Sequence, residues 1–146
     1  METGLALIAP GDRHMIVKKC ASGYRISIEN GPKVCYQRPS VDVLFNSVAE
    51  SAAERVTAAL LTGMGADGAR GLLQIRKNHG ATIAQDEASC VVFGMPKEAI
   101  RLDAAQQVLP LSEISQSLLN ASARTLPPRN KEHIEGAKGV QHSDCR

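Results

Sequence analysis

Tryptophan is absent from this 146-residue chain, and only four aromatic side chains occur: Tyr24, Tyr36, Phe45 and Phe93. So few rings argue against a protein that stacks bases on aromatic platforms. No apolar run approaches the roughly 18 residues that a membrane helix requires. The first residues also lack the layout of a secretory signal, so membrane insertion is not expected. Residues 1–123 hold 12 basic and 12 acidic side chains, which leaves the net charge of +2 to residues 124–146. The body of the chain thus offers no basic footprint for nucleic acid. Cys20, Cys35, Cys90 and Cys145 match neither a paired zinc pattern nor a Cys-x-x-Cys motif, and reduced thiols in the cytoplasm are the expected state. What remains is an ordinary soluble composition, 43% apolar and 22% charged, with enough length for one domain with a core.

The patterning predicts the elements in turn. Residues 4–9 form a short apolar run closed by Pro10-Gly11, which reads as a buried strand. Residues 14–20 and 24–29 flank Ala21-Ser22-Gly23. In the second segment Tyr24, Ile26 and Ile28 alternate with Arg25, Ser27 and Glu29, as expected for a β-hairpin with one wet face. Ser40 is placed to cap a helix whose apolar stripe is Val41, Leu44, Phe45, Val48 and Ala52. Residues 56–61 read as a buried strand, followed by a glycine-rich loop and a helix carrying Leu72, Leu73 and Ile75 that ends at Asn78-His79-Gly80. A strand is expected over 81–85, a short helix from Pro96, a last strand over 106–109 and a helix capped by Ser112. Pro127-Pro128 and scattered polar residues predict a disordered tail over 124–146. The strand–helix alternation after residue 40 implies an α/β fold: a mostly parallel sheet flanked by helices, doubly wound and Rossmann-like, with a β-hairpin.

The chemistry concentrates in Gly63-Met64-Gly65-Ala66-Asp67-Gly68, between a strand and a helix. Open α/β sheets place their binding sites at such an edge. Its N–H groups and the helix start stabilise negative charge. Read literally, the segment is a Gly-x-Gly-x-x-Gly string, with Asp86 18 residues beyond Gly68, as in a dinucleotide fingerprint. Asp67 argues against that reading, because a carboxylate at the helix start repels a pyrophosphate. A second reading makes Asp67 the group that orients a histidine in a hydrolytic triad, with the Met64 N–H serving an oxyanion. The plain alternative for Asp67 is a helix N-cap.

The wider sequence separates these readings. Arg38-Pro39-Ser40-Val41-Asp42-Val43-Leu44-Phe45, Leu61 to Ala69, and Ala84-Gln85-Asp86-Glu87-Ala88-Ser89-Cys90-Val91-Val92-Phe93-Gly94-Met95-Pro96 closely resemble the CheB family, the protein-glutamate methylesterases of bacterial chemotaxis. Ile8-Ala9-Pro10-Gly11-Asp12-Arg13-His14 is similar to the same family, and the resemblance runs from about Gly4 to Leu119. It implies a methylesterase domain over 1–123, truncated at its N-terminus. It also implies a Ser-His-Asp triad that hydrolyses γ-glutamyl methyl esters and deamidates certain glutamines on the cytoplasmic helices of chemoreceptors. Asp67 matches the triad aspartate, and Met64 the residue whose backbone N–H joins the oxyanion hole. No metal or organic cofactor is implied.

The family's serine lies in a Ser-Thr-Gly-Gly-like turn and its histidine in a His-Met-like segment. Neither occurs in this sequence. The histidines present do not replace them by pattern: His14 matches a family position without a triad role, His79 ends a helix, and His133 and His142 lie in the tail. Ser89 is expected near the rim without a nucleophile elbow around it. Cys90 is expected as a small buried hydrophobe, Arg38 and Arg70 as surface charges, and Met64 and Met95 as cleft or core residues. Without the histidine the chain alone is expected to lack esterase activity. A non-catalytic remnant that binds chemotaxis partners is the alternative. The early strands that the resemblance implies are missing, so an unpaired sheet edge is expected to drive self-association.

Overall fold

A computed structural model describes residues 4–52 and 55–125. Its elements are β1 (His14–Cys20), β2 (Gly23–Glu29), α1 (Val41–Ala52), β3 (Thr57–Leu60), α2 (Ala69–Lys77), β4 (Ala81–Gln85), α3 (Met95–Arg101), β5 (Gln107–Leu109) and α4 (Leu111–Thr125).

β1 and β2 form the expected antiparallel hairpin, in register from His14 opposite Glu29 to Cys20 opposite Gly23. The alternation is imperfect: Ile28 is exposed while Ser27 is half-buried beside its hydrogen bond to Glu29. β1 supplies the inner strand. Met15 and Val17 are buried, and Val17 exchanges bonds with α1: its N–H donates to Ser47 Oγ, and Ser51 Oγ donates to its carbonyl. That contact explains why the buried face of α1 includes Asp42, Ser47 and Ala49, while the predicted stripe residues Val41, Leu44, Phe45 and Val48 are only half-buried. The helix is squeezed between the hairpin and α2, so polar groups that bridge its neighbours are drawn inside.

β3, β4 and β5 form a parallel sheet in that order. α2, α3 and α4 all pack on β3 and β4, so the sheet is flanked by helices, as the alternating pattern predicts. Leu60, Leu72, Ile75, Ala99 and Ala104 form the core, with Phe45, Val48 and Met95 packed against it. Leu72 and Ile75 are fully buried, and truncating either to alanine is expected to cost about 2–5 kcal/mol. α2 closes on Asn78, whose N–H bonds back to Gln74 and Ile75, and the chain leaves through His79 in the left-handed region. α3 starts with Pro96 in its first turn, where the missing N–H costs nothing.

Three expectations need correction. Residues 4–9 form no strand, and Leu5, Leu7 and Ile8 are exposed, Ile8 at 92%. An apolar run becomes a strand only where a neighbour accepts its backbone bonds, and no strand pairs with it among the described residues. Ser112 is not the cap of α4, which already begins at Leu111 after Pro110, whose carbonyl receives the Glu113 N–H. α4 runs to Thr125, so the first two residues of the expected tail are helical, and the rest of it lies outside the described residues. No described helix is long and apolar enough to cross a membrane.

Candidate functional site

The loop after β3 is fastened to the loop after β4. Gly63 forms a parallel bridge with Phe93: its N–H donates to Val92 and its carbonyl accepts from Met95. The Thr62 hydroxyl accepts the Val92 N–H at 2.8 Å and donates to the Val92 carbonyl at 3.1 Å. Beneath them sits Gln85, a fully buried amide at the end of β4. Its Oε1 accepts the Thr62 N–H at 2.8 Å, and its Nε2 donates to the Ser89 carbonyl at 2.7 Å. Gly94 permits the close contact, since a Cβ there would lie 2.6 Å from the Gly63 carbonyl oxygen. These bonds set where the glycine loop stands over the sheet.

From this platform Asp67 turns inward, with 4% exposure. Its Oδ1 accepts the Ser40 hydroxyl at 2.7 Å and the Asp42 N–H at 3.0 Å, and its Oδ2 accepts the Val41 N–H at 2.8 Å. Asp67 therefore caps a helix, but not its own: α2 starts at Gly68 with no side-chain cap, and the carboxylate reaches across to the first N–H groups of α1. Ser40 keeps its predicted capping position, with its Oγ 3.4 Å from the Val43 N–H, and adds the bond to Asp67.

Around the carboxylate stand residues that sequence reasoning passed over. Asp42, in the first turn of α1, is buried and accepts the Gly71 N–H at 2.7 Å. Burial holds its carboxyl above the usual range, and the nearby Asp67 charge pushes the same way, against the lowering effect of the Gly71 bond. Cys35 lies in the two-residue turn between the bridged Val34 and Gln37, with Cys35 and Tyr36 both in the left-handed region. Its thiol is pushed up by burial and by the charges of Asp42 and Asp67. No spacing rule links positions 35, 42 and 67. Only tertiary packing of the Val34–Gln37 turn, the start of α1 and the loop before α2 brings them together.

Met64 faces outward at 83% exposure, and its N–H donates to no group among the described residues. Met95 is half-buried against the core instead. His14 is buried at the start of β1: its Nδ1 accepts the Ser40 N–H at 3.2 Å, so its Nε2 carries the proton that meets the Pro32 carbonyl at 2.9 Å. Both ring nitrogens are engaged with the backbone, and neither touches Asp67. Ser89 donates to Asp86 at 2.5 Å and accepts from Gln85 and from the Leu111 N–H. Its hydroxyl ties two loops together. Asp86, the carboxylate placed for a ribose in the dinucleotide reading, is occupied by the Ser89 hydroxyl and N–H. Cys90 is half-buried, and burial raises its thiol. Arg38 is bound to Asp12 and the Gly31 carbonyl, while Arg70 is exposed.

The family described as CheB methylesterase matches residues 1–118. The chain is 56% identical over 117 residues to the protein-glutamate methylesterase/protein-glutamine glutaminase 1 of Pseudomonas savastanoi pv. phaseolicola, covering 80% of this chain and 33% of that protein. Against the protein of the same function name from Escherichia coli K12 it is 53% identical over 116 residues, again 80% of this chain and 33% of the relative. It thus spans about a third of the length of these curated relatives. The crystal structure of the Thermotoga maritima CheB methylesterase catalytic domain superposes with a TM-score of 0.74 at 36% identity, over 76% of this chain and 59% of that one.

Proposed function

The chain belongs to the CheB methylesterase family, and from that premise we propose that it supplies the aspartate and an oxyanion donor to a protein-glutamate methylesterase/glutaminase site. The substrate is a methylated glutamate, or a glutamine, on a chemoreceptor's cytoplasmic helix, and the setting is the cytoplasm. One observation carries the reading: Asp67 is buried and held by three donors beside an exposed loop whose Met64 N–H is unengaged among the described residues.

In the reaction a serine attacks the ester or amide carbonyl, and a histidine takes its proton and returns it to the leaving methanol or ammonia. Asp67 fixes the imidazole and stabilises its cation. The Met64 N–H meets the negative oxygen of the tetrahedral intermediate. Three donors already on the carboxylate hold it in place before the imidazole arrives. Serine and water are poor nucleophiles without an adjacent base, and no histidine of the described residues reaches Asp67. On this reading the described residues do not complete a triad by themselves.

The test is a chimera in which residues 1–118 replace the matching segment of the Escherichia coli relative, assayed by methanol release from methylated receptor. An active chimera that loses roughly 10⁴-fold in kcat on Asp67→Asn, the loss seen when a triad aspartate is neutralised, supports the proposal. A folded chimera whose activity is indifferent to that change overturns it.

A further inference from the structure

We propose that Cys35, Asp42 and Asp67 form a site for one thiophilic divalent cation of the zinc and cadmium class. The Cys35 Sγ and one oxygen of each carboxylate all lie within 4.8 Å of one another. They come from three separate segments: the turn between Val34 and Gln37, the first turn of α1, and the loop before α2. Their convergence therefore follows from tertiary packing and not from closeness in sequence.

The charge around them favours a cation. Asp42 and Asp67 are buried at 6% and 4% exposure, side by side. None of the ion pairs among the described residues involves either carboxylate, and the charge of Arg70 acts on Asp42 only from beyond ion-pair distance. Their partners are N–H groups and one hydroxyl, which donate partial charge only. Buried charges are ordinarily paired or bind metal. The type of ion follows from the donors. Calcium needs six to eight oxygens and magnesium a near-ideal octahedron, neither of which two carboxylates supply. A thiolate with two carboxylates suits a tetrahedral ion that keeps a fourth position for water.

Ligand atoms about 2.0–2.3 Å from zinc stand within about 4 Å of one another, so at least one group must be free to adjust to the ion. Cys35 is the one able to do so, because it lies in an exposed turn while both carboxylates are tied down. On binding, the thiol proton leaves to solvent and the sulfur–metal bond forms, with no change of oxidation state. The consequence for catalysis rests on the function proposed above: an ion on Asp67 withholds that carboxylate from an imidazole, which makes the cation an inhibitor. Binding itself is independent of that reading.

The test is cadmium titration of the full chain with Cys20, Cys90 and Cys145 replaced by serine, followed by the ultraviolet thiolate-to-cadmium charge-transfer band, which requires no activity. The expected result is saturation at one ion per chain, displacement by zinc, and affinity weakened at least about tenfold by Asp42→Asn and by Asp67→Asn, since loss even of a supporting group at a metal site costs that much. Asparagine at 42 keeps an acceptor for the Gly71 N–H, so that variant decides the matter if the other unfolds by circular dichroism. Absence of the band, or a band whose affinity ignores Asp42→Asn, overturns the proposal, the second outcome being binding by a lone thiol.

Discussion

The Ser40 hydroxyl donates to Asp67 Oδ1 at 2.7 Å, joining the cap of α1 to the loop before α2 across 27 residues of sequence. One carboxylate thereby closes the start of a helix and fixes the loop that carries Met64. Removing it should be felt in stability. Asp67→Ala leaves the Ser40 hydroxyl and the Val41 and Asp42 N–H groups without their acceptor, at an expected cost of about 2 kcal/mol. A urea melt should show a lower midpoint with an unchanged slope. A change below about 0.5 kcal/mol, the level of ordinary surface substitutions, means that water replaces the carboxylate freely.

Gln85→Leu keeps the volume roughly but removes the three bonds that fasten Thr62 to Ser89. Stranded buried partners cost about 1–3 kcal/mol. Faster amide exchange is expected at Thr62 and Gly63. Loss of stability without faster exchange there means that Gln85 serves the core alone and does not position the glycine loop.

Gly65 and Gly68 both have left-handed backbones, with φ of +90° and +88°. A Cβ at 65 meets nothing within 4 Å, whereas one at 68 lies 2.7 Å from Leu60 and from Val41. Gly65→Ala should cost only backbone strain, about 1–2 kcal/mol, and Gly68→Ala clearly more, because overpacking adds about 1–3 kcal/mol. Equal costs in parallel denaturation experiments refute the proposed clash.

Asp42 gives a pH prediction. Burial raises its folded-state value above that of the unfolded chain. Between the two values the folded state holds a proton that the unfolded state has lost, so stability falls as pH rises through that window. The contribution is fully present below the unfolded value, about 3.9. Asp42→Asn removes the ionisation cost, so its melting temperature should exceed that of the native chain most at neutral pH. The gap should shrink on acidification through the window. A gap that is constant or widens in acid contradicts the assignment.

β3 pairs only with β4 among the described residues, and Leu61 and Val91 stand exposed near the same end of the sheet. Parallel strands are ordinarily covered on both faces, and a free edge invites pairing. Concentration-dependent dimers are expected in light scattering, weakened by Leu61→Lys. A clean monomer at high concentration counts against association through this edge.

The sequence determined much of this protein by itself. Apolar periodicity placed the hairpin, α1 and α2, and short apolar runs bounded by turn residues placed the three parallel strands, because such patterns record where an element meets the core even where its buried face shifts. Glycines at 63, 65 and 68 marked the loop, and the blocks around Asp67 carried the family. Local pattern could not tell that residues 4–9 find no strand partner among the described residues, since pairing depends on a neighbour and not on the segment itself. Nor could it tell that Asp67 caps α1 and leaves α2 uncapped, or that Cys35 and Asp42 stand beside it. The cap on α1 and the approach of Asp42 arise where α1 packs on α2 through Gly71, whose missing side chain lets the two backbones meet. Tertiary structure decided them because hydrogen bonds and charges act over a few ångströms of space, whatever the distance along the chain.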